Sequence, residues 1–315
     1  MNEAAFLQRG GIRPHLALIA VQLMFGTWPI FGKIALRALP STGLVALRVA
    51  GAALAFAILR RATKYVPITR RSDYARLALY SILGVVLNQL LFVKGLALST
   101  VINATILGTA IPVFTLLFGI ALGYERLSFR TALGTVLAAC GVIYLVDPAR
   151  ADFSGETTLG NLLLVANTMA YGAYIALSQD LLKRYGALTV ITWIFAMGCV
   201  VAVPIGSFYL TETSVQDVGP GVWLVVLYII IVPTVGAYYL NAWALARVTP
   251  STVAVYIYLQ PLIAFALAPL VLGEQRNTRT WVAAALIFAG VAVVTWQRRS
   301  RVLEEVSDHP EALGH

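Results

Sequence analysis

Charge is what this chain has least of. Asp, Glu, Lys and Arg make up 12% of its 315 residues, where a soluble domain carries about a quarter. Hydrophobic residues reach 59%, and the mean hydropathy is +0.82. So few charges cannot cover a water-facing surface, and a polytopic membrane protein is expected. Histidine is scarce too. His15 stands at the very edge of the first apolar run and His309 and His315 lie outside the runs, so no His-ligated metal centre is expected within the membrane. Cys140 and Cys199 fall inside apolar runs and read as small buried hydrophobes, not as a disulfide or a metal pair. A phosphate-binding glycine loop is missing, so ATP-driven pumping would need another chain. No intramembrane pair of Asp residues points to an enzyme. Neither catalysis nor a cofactor is expected. The net charge of +9 is no nucleic-acid signature, because the Lys and Arg cluster at the ends of apolar runs.

What the chain has in abundance is long apolar runs, and they come in two matching sets. Thr100, Pro112, Glu125, Arg130-Thr131 and Gly141-Val142 reappear as Thr249, Pro261, Glu274, Arg279-Thr280 and Gly290-Val291, always 149 residues later. Leu96-Ala97 and Leu245-Ala246 share that offset. A period of this length means two halves built to one plan rather than a solenoid. A bilayer core of ~30 Å needs about 20 apolar residues per helix. On that ruler ten spans are predicted, near 15–37, 42–60, 76–98, 100–122, 129–146, 159–183, 188–210, 222–247, 250–272 and 280–297. The first is too long for a signal-peptide core and is read as a retained span. The expected organisation is therefore an all-α polytopic membrane protein: a five-helix repeat over 15–146, a second over 159–297, and a charged tail over 298–315.

Loop charge sets the orientation. The loop after the second run holds Arg60, Arg61, Lys64, Arg70, Arg71 and Arg76 against Asp73, and the tail opens with Arg298, Arg299 and Arg301. The loops after the fifth and seventh runs are acidic, with Asp147, Asp152 and Glu156 in one and Glu212 and Asp217 in the other. Both termini are therefore expected on the cytoplasmic side of a bacterial inner membrane. Five spans per half is an odd number, so the second half enters upside down. Inverted repeats are a recurrent plan of secondary transporters, with the substrate near the midplane.

Polar groups at membrane depth face protein or a water-filled cavity. Asn88 and Gln89 lie mid-span in the third run; they either bind substrate or tie two helices together. Asn167, Tyr171, Tyr174 and Ser178 share one helical face of the sixth run. Tyr256 and Gln260 share a face of the ninth, Tyr238 and Asn241 sit together in the eighth, and Thr105 and Thr109 lie on the fourth. Trp28 is too deep for an interfacial anchor and either walls a cavity or faces lipid. The expected substrate-binding set is Trp28, Asn88, Gln89, Thr109, Asn167, Tyr171, Tyr174, Tyr238, Tyr256 and Gln260. Pro29, Pro112 and Pro261 each remove a backbone donor at depth and are the expected hinges. Lys33 and Lys94 read as snorkelling side chains or as an electropositive vestibule. Glu125 and Glu274 read as turn caps paired with nearby arginines, with proton coupling as the alternative. Gly119 and Gly123 form a GxxxG step.

With Gly26 and Lys33 in the first run, Asn103-Ala104, Pro112 and Glu125 around the fourth, and Thr249, Pro261, Gly273-Glu274 and Gly290-Val291 in the second copy, the chain resembles the drug/metabolite transporter superfamily, and within it the EamA-like ten-helix carriers. Phe25 stands where that family often has Trp. The resemblance implies ten helices around a central cavity lined by the first, third, fourth, sixth, eighth and ninth. It implies export of amino acids, other metabolites, nucleosides or drugs by alternating access. A lining without deep charge favours zwitterions or neutral solutes over polyanions, so aromatic or aliphatic amino acids are the expected cargo. A drug or nucleoside exporter and a non-transporting membrane ligand sensor are the alternatives. The expected partners are a small-molecule substrate and the lipid bilayer, not nucleic acid, with a monomer as the simplest assembly.

Overall fold

The computed structural model describes residues 12–63, 65–123, 155–211, 218–248 and 250–274, with parts of 129–144 and 278–293. Of residues 251, 252, 255, 258, 261, 262 and 265 only the backbone is described. Among the described residues seven helices are long and apolar enough to cross a bilayer: α1 (Arg13–Ala35), α2 (Ser41–Ala62), α3 (Arg71–Leu98), α4 (Val101–Ala121), α5 (Glu156–Tyr185), α6 (Ala187–Leu210) and α7 (Pro220–Leu245). The ninth run forms α8 in two pieces, Pro250–Val255 and Leu259–Leu272, joined by a 3₁₀ turn at Tyr256–Tyr258. The fifth and tenth runs, with Glu125, fall largely outside the described residues, so α5 to α8 are the sixth to ninth expected spans. The proposed tail, 298–315, lies outside them entirely.

The offset read from scattered motifs holds across the helix boundaries. Adding 149 carries Ala62 to Thr211, Arg71 to Pro220 and Val101 to Pro250, which are matching ends and starts of helices. It also superposes two features that hydropathy does not show. The π-helical turn Ile82–Leu87 inside α3 lands on the π-helical turn Ile230–Gly236 inside α7. The turn at 109–110 that divides α4 into Val101–Gly108 and Ile111–Ala121 lands at the 3₁₀ turn of α8. The two halves run in opposite senses. The Glu274 carboxylate, just past α8, accepts from the N–H groups of Val101 and Ile102 at the start of α4. At the far end, Gln179 near the end of α5 donates to the carbonyls of Leu245 and Val248, between α7 and α8.

Local chemistry explains the tight connections. The Thr100 hydroxyl accepts from Asn103 N–H at 3.0 Å, capping α4 directly after α3. Helices that share no hydrophobic drive in lipid need close backbone approach. A Cβ on Gly95 of α3 would stand 2.9 Å from the Gly160 carbonyl of α5, and one on Gly160 would stand 2.9 Å from the Gly95 carbonyl. Outward-facing Leu16, Leu54, Val200, Phe208, Leu224 and Leu270 are exposed, an apolar exterior suited to hydrocarbon.

Three expectations change. Cys140 is exposed on this outer surface, not buried, because an apolar run in a membrane protein has a lipid side as well as a protein side. Gly123 lies past the end of α4 with φ 76°, so it ends a helix and forms no GxxxG seam with Gly119. The prolines are not alike: Pro29 sits within an unbroken α1, whereas Pro112 opens the second piece of α4. Pro261 falls at the matching place in α8, with only its backbone described.

Candidate functional site

The second half of α3 begins where its π turn ends, and the extra residue in that turn aims Asn88 and Gln89 inward. There they meet the other half of the chain. Gln89 Nε2 donates to Tyr238 Oη at 3.0 Å and Asn88 Nδ2 donates to the same oxygen at 2.5 Å. Gln89 and Tyr238 are 149 residues apart, so they are counterparts in the two halves and their bond marks the pseudo-symmetry axis. Asn167 of α5 closes the network by donating to Asn88 Oδ1 at 2.5 Å and to the Asn88 carbonyl at 2.8 Å.

A cavity of about 70 Å³ opens beside this network, lined from α1, α2, α3, α4, α5, α7 and α8. That is space for a few waters. Seven residues of the expected binding set border it, Trp28, Asn88, Gln89, Asn167, Tyr171, Tyr238 and Gln260, and so does Pro29, expected as a hinge. Gln260 donates to Gln22 at 2.7 Å, and Asn241 donates to Tyr171 Oη at 3.3 Å. Thr109, Tyr174 and Tyr256 stand apart from the lining. Thr109 donates to the Ile106 carbonyl at 2.6 Å, inside the break of α4. Tyr174 is packed flat beside Tyr171, ring centroids 5.7 Å apart, over Gly84. Tyr256 meets His15 Nδ1 at 2.8 Å. The 3₁₀ turn explains the last case: it advances about 120° per residue rather than 100°, which takes Tyr256 off the face of Gln260.

The deepest correction is a charge. Arg48 of α2 is 1% exposed and borders the cavity, so the lining is not neutral and the second helix belongs to it. Its guanidinium stacks 3.7 Å from the centroid of Trp28. Its Nε donates to Thr234 Oγ1 at 3.1 Å. The Thr234 hydroxyl donates in turn to the Ile229 carbonyl at 2.7 Å, the acceptor that Pro233, with no N–H, leaves free. Pro233-Thr234 and the π turn thus present an oxygen to Arg48 as acceptor. Arg48 Nη1 has no partner. The signal was present in the sequence: Arg48 is the single charge between Arg37 and Arg60, a residue type that is costly at depth and marks function.

Polar contacts tie helices together at both ends of the bundle. At one face Asp73 pairs with Arg184 at 2.9 Å and accepts from Tyr185, while Arg76 meets Asp180 at 2.6 Å. At the other, Glu274 caps α4, Ser99 donates to Asn161 at 2.6 Å, and Lys33 donates to the Ala97 carbonyl at 3.2 Å. Lys94 is exposed. A cavity with convergent polar groups between two antiparallel halves defines a polytopic helical carrier.

A family model of EamA-like transporters matches residues 12–146 and again 158–296. The chain belongs to the EamA-like transporter family. It is 27% identical to an uncharacterized transporter of Archaeoglobus fulgidus, over 90% of this chain and 97% of that one. It is 26% identical to a WAT1-related protein of Arabidopsis thaliana, over 95% and 86%. A crystal structure superposes with a TM-score of 0.65 at 22% identity, over 91% of this chain and 98% of that one, which shows the shared fold.

Proposed function

We propose that this transporter moves small metabolites, amino acids with aromatic or aliphatic side chains foremost, outward across a bacterial inner membrane by alternating access. The observation that carries the reading is the cavity beside the pseudo-symmetry axis, where Gln89 of one half bonds Tyr238 of the other. A site on that axis is reached from either face by the same rearrangement applied to opposite halves. Its small volume suits a solute admitted only when one end opens. Efflux of labelled phenylalanine and leucine from proteoliposomes tests the cargo, and wild-type vesicles that hold both as tightly as empty ones would overturn it. Cysteines placed at Arg70 and Asp152, after removal of Cys140 and Cys199, test the orientation. Arg70 belongs inside and Asp152 outside, and labelling of both by an impermeant thiol reagent from one side sinks the arrangement.

A further inference from the structure

We propose that Arg48 is the anchor for a single carboxylate on the transported solute, and that the solute's ammonium group, where it has one, is dispensable. The inference rests on the transporter reading above and names its substrate class.

A guanidinium withdrawn from water is costly unless paired and hydrogen-bonded. Arg48 borders the cavity at 1% exposure with one hydroxyl acceptor and one indole face, and its buried Nη1 is unsatisfied. No described Asp or Glu borders the cavity, and the described ion pairs, Asp73 with Arg76 and Arg184 and Asp180 with Arg76, lie at one end of the bundle. The missing counter-charge therefore comes from the solute. A planar fork fits a planar carboxylate. Charge counting limits the solute further. The described lining holds one cation and no anion, so one negative charge balances it and a dianion is left with one uncompensated. An ammonium finds no carboxylate there. Phe25, Phe92 and Tyr171 supply apolar walls for an aromatic or aliphatic body. Trp28, stacked under Arg48, holds the fork in place.

The test is ligand-dependent thermal stability of the purified full-length protein in detergent. The probes are 3-phenylpropionate, L-phenylalanine, the uncharged isostere 3-phenylpropionamide, and phenyl phosphate. The acid should bind at least as tightly as phenylalanine and about ten- to a hundredfold more tightly than the amide, the range of one charge-assisted hydrogen-bonded contact. Arg48→Gln should erase the acid-over-amide preference, and Arg48→Lys should keep part of it. The wild-type comparison stands even where Arg48→Gln fails to fold. An amide as good as the acid overturns the proposal. So does tighter binding of phenyl phosphate, an acid preference that survives Arg48→Gln, or no stabilisation by any probe at millimolar concentration. Flux of labelled 3-phenylpropionate in vesicles separates the two readings. Binding without flux overturns transport and leaves the anchor, whereas phenylalanine efflux with equal binding of acid and amide overturns the anchor and leaves transport.

Discussion

The two halves of this transporter agree in backbone and disagree in chemistry. Their π turns, broken helices and helix ends coincide under one offset. The side chains at matched places do not. Arg48 has Met197 as its counterpart, Trp28 has Leu177, Gln89 has Tyr238 and Ile111 has Gln260. The comparison teaches that two things separate here: the repeat fixes where the backbone bends, and the cavity takes its chemistry from places where the two halves depart from each other.

The largest test of that separation compares Phe25 with Tyr174, which occupy equivalent positions. Phe25 is partly buried and borders the cavity, whereas Tyr174 is 2% exposed and packed over Gly84. Tyr174→Ala should cost on the order of 3–5 kcal/mol, read as a large drop in melting temperature. Phe25→Ala should cost well under half of that and weaken solute binding instead. Equal losses for both would mean that the two places do the same work.

Next comes the bond on the axis. Tyr238→Phe removes an oxygen that accepts from both Asn88 and Gln89; Asn88 keeps the Gly84 carbonyl as acceptor, but stranding the buried Gln89 amide and losing both bonds should cost about 2–3 kcal/mol. Gln89→Leu strands none, since Asn88 still reaches Tyr238, and should cost roughly 1 kcal/mol. Denaturant or thermal titration of both variants checks the order, and a reversal breaks the account of the network.

The matched breaks predict a kinetic effect. Pro112→Ala restores an N–H facing the Gly108 carbonyl, and Pro261→Ala does the same for Ile257. Each should slow turnover by roughly severalfold, while apparent affinity stays within about twofold, if these breaks gate the cycle. Affinity changes without a rate change would make the breaks static shape. The smallest effect falls where α8 ends. Glu274→Gln removes the charge that faces the start of α4 and should lower stability by about 0.3–1 kcal/mol, more at low salt than at high.

Much of this was legible beforehand, for identifiable reasons. Span length and hydropathy are local properties, so eight of the ten runs could be placed within a few residues of the helices α1 to α8. Loop charge and an odd span count implied the inverted halves, and the contact of Glu274 with α4 agrees. Asn88, Asn167, Tyr171 and Gln260 were found because a polar residue at depth must face something polar. Tyr256 was misplaced because a regular helical wheel carries one phase through a helix, and the 3₁₀ turn shifts that phase without any mark in the residue types. Tyr174 does share the helical face of Tyr171, but Gly84 of α3 gives its ring a packed seat beside the lining. Arg48 was overlooked, despite the signal of its isolated charge, because no polar residue three or four positions away marks a face with it.

The sequence by itself determined the class: a chain this apolar, with this repeat, folds as paired helical halves in a membrane. Which faces of those helices enclose the cavity was decided only by tertiary packing. A solitary arginine in an apolar run has no partner that its own helix can specify. Its indole came from α1 and its hydroxyl from α7, and those meet only when the whole bundle packs together.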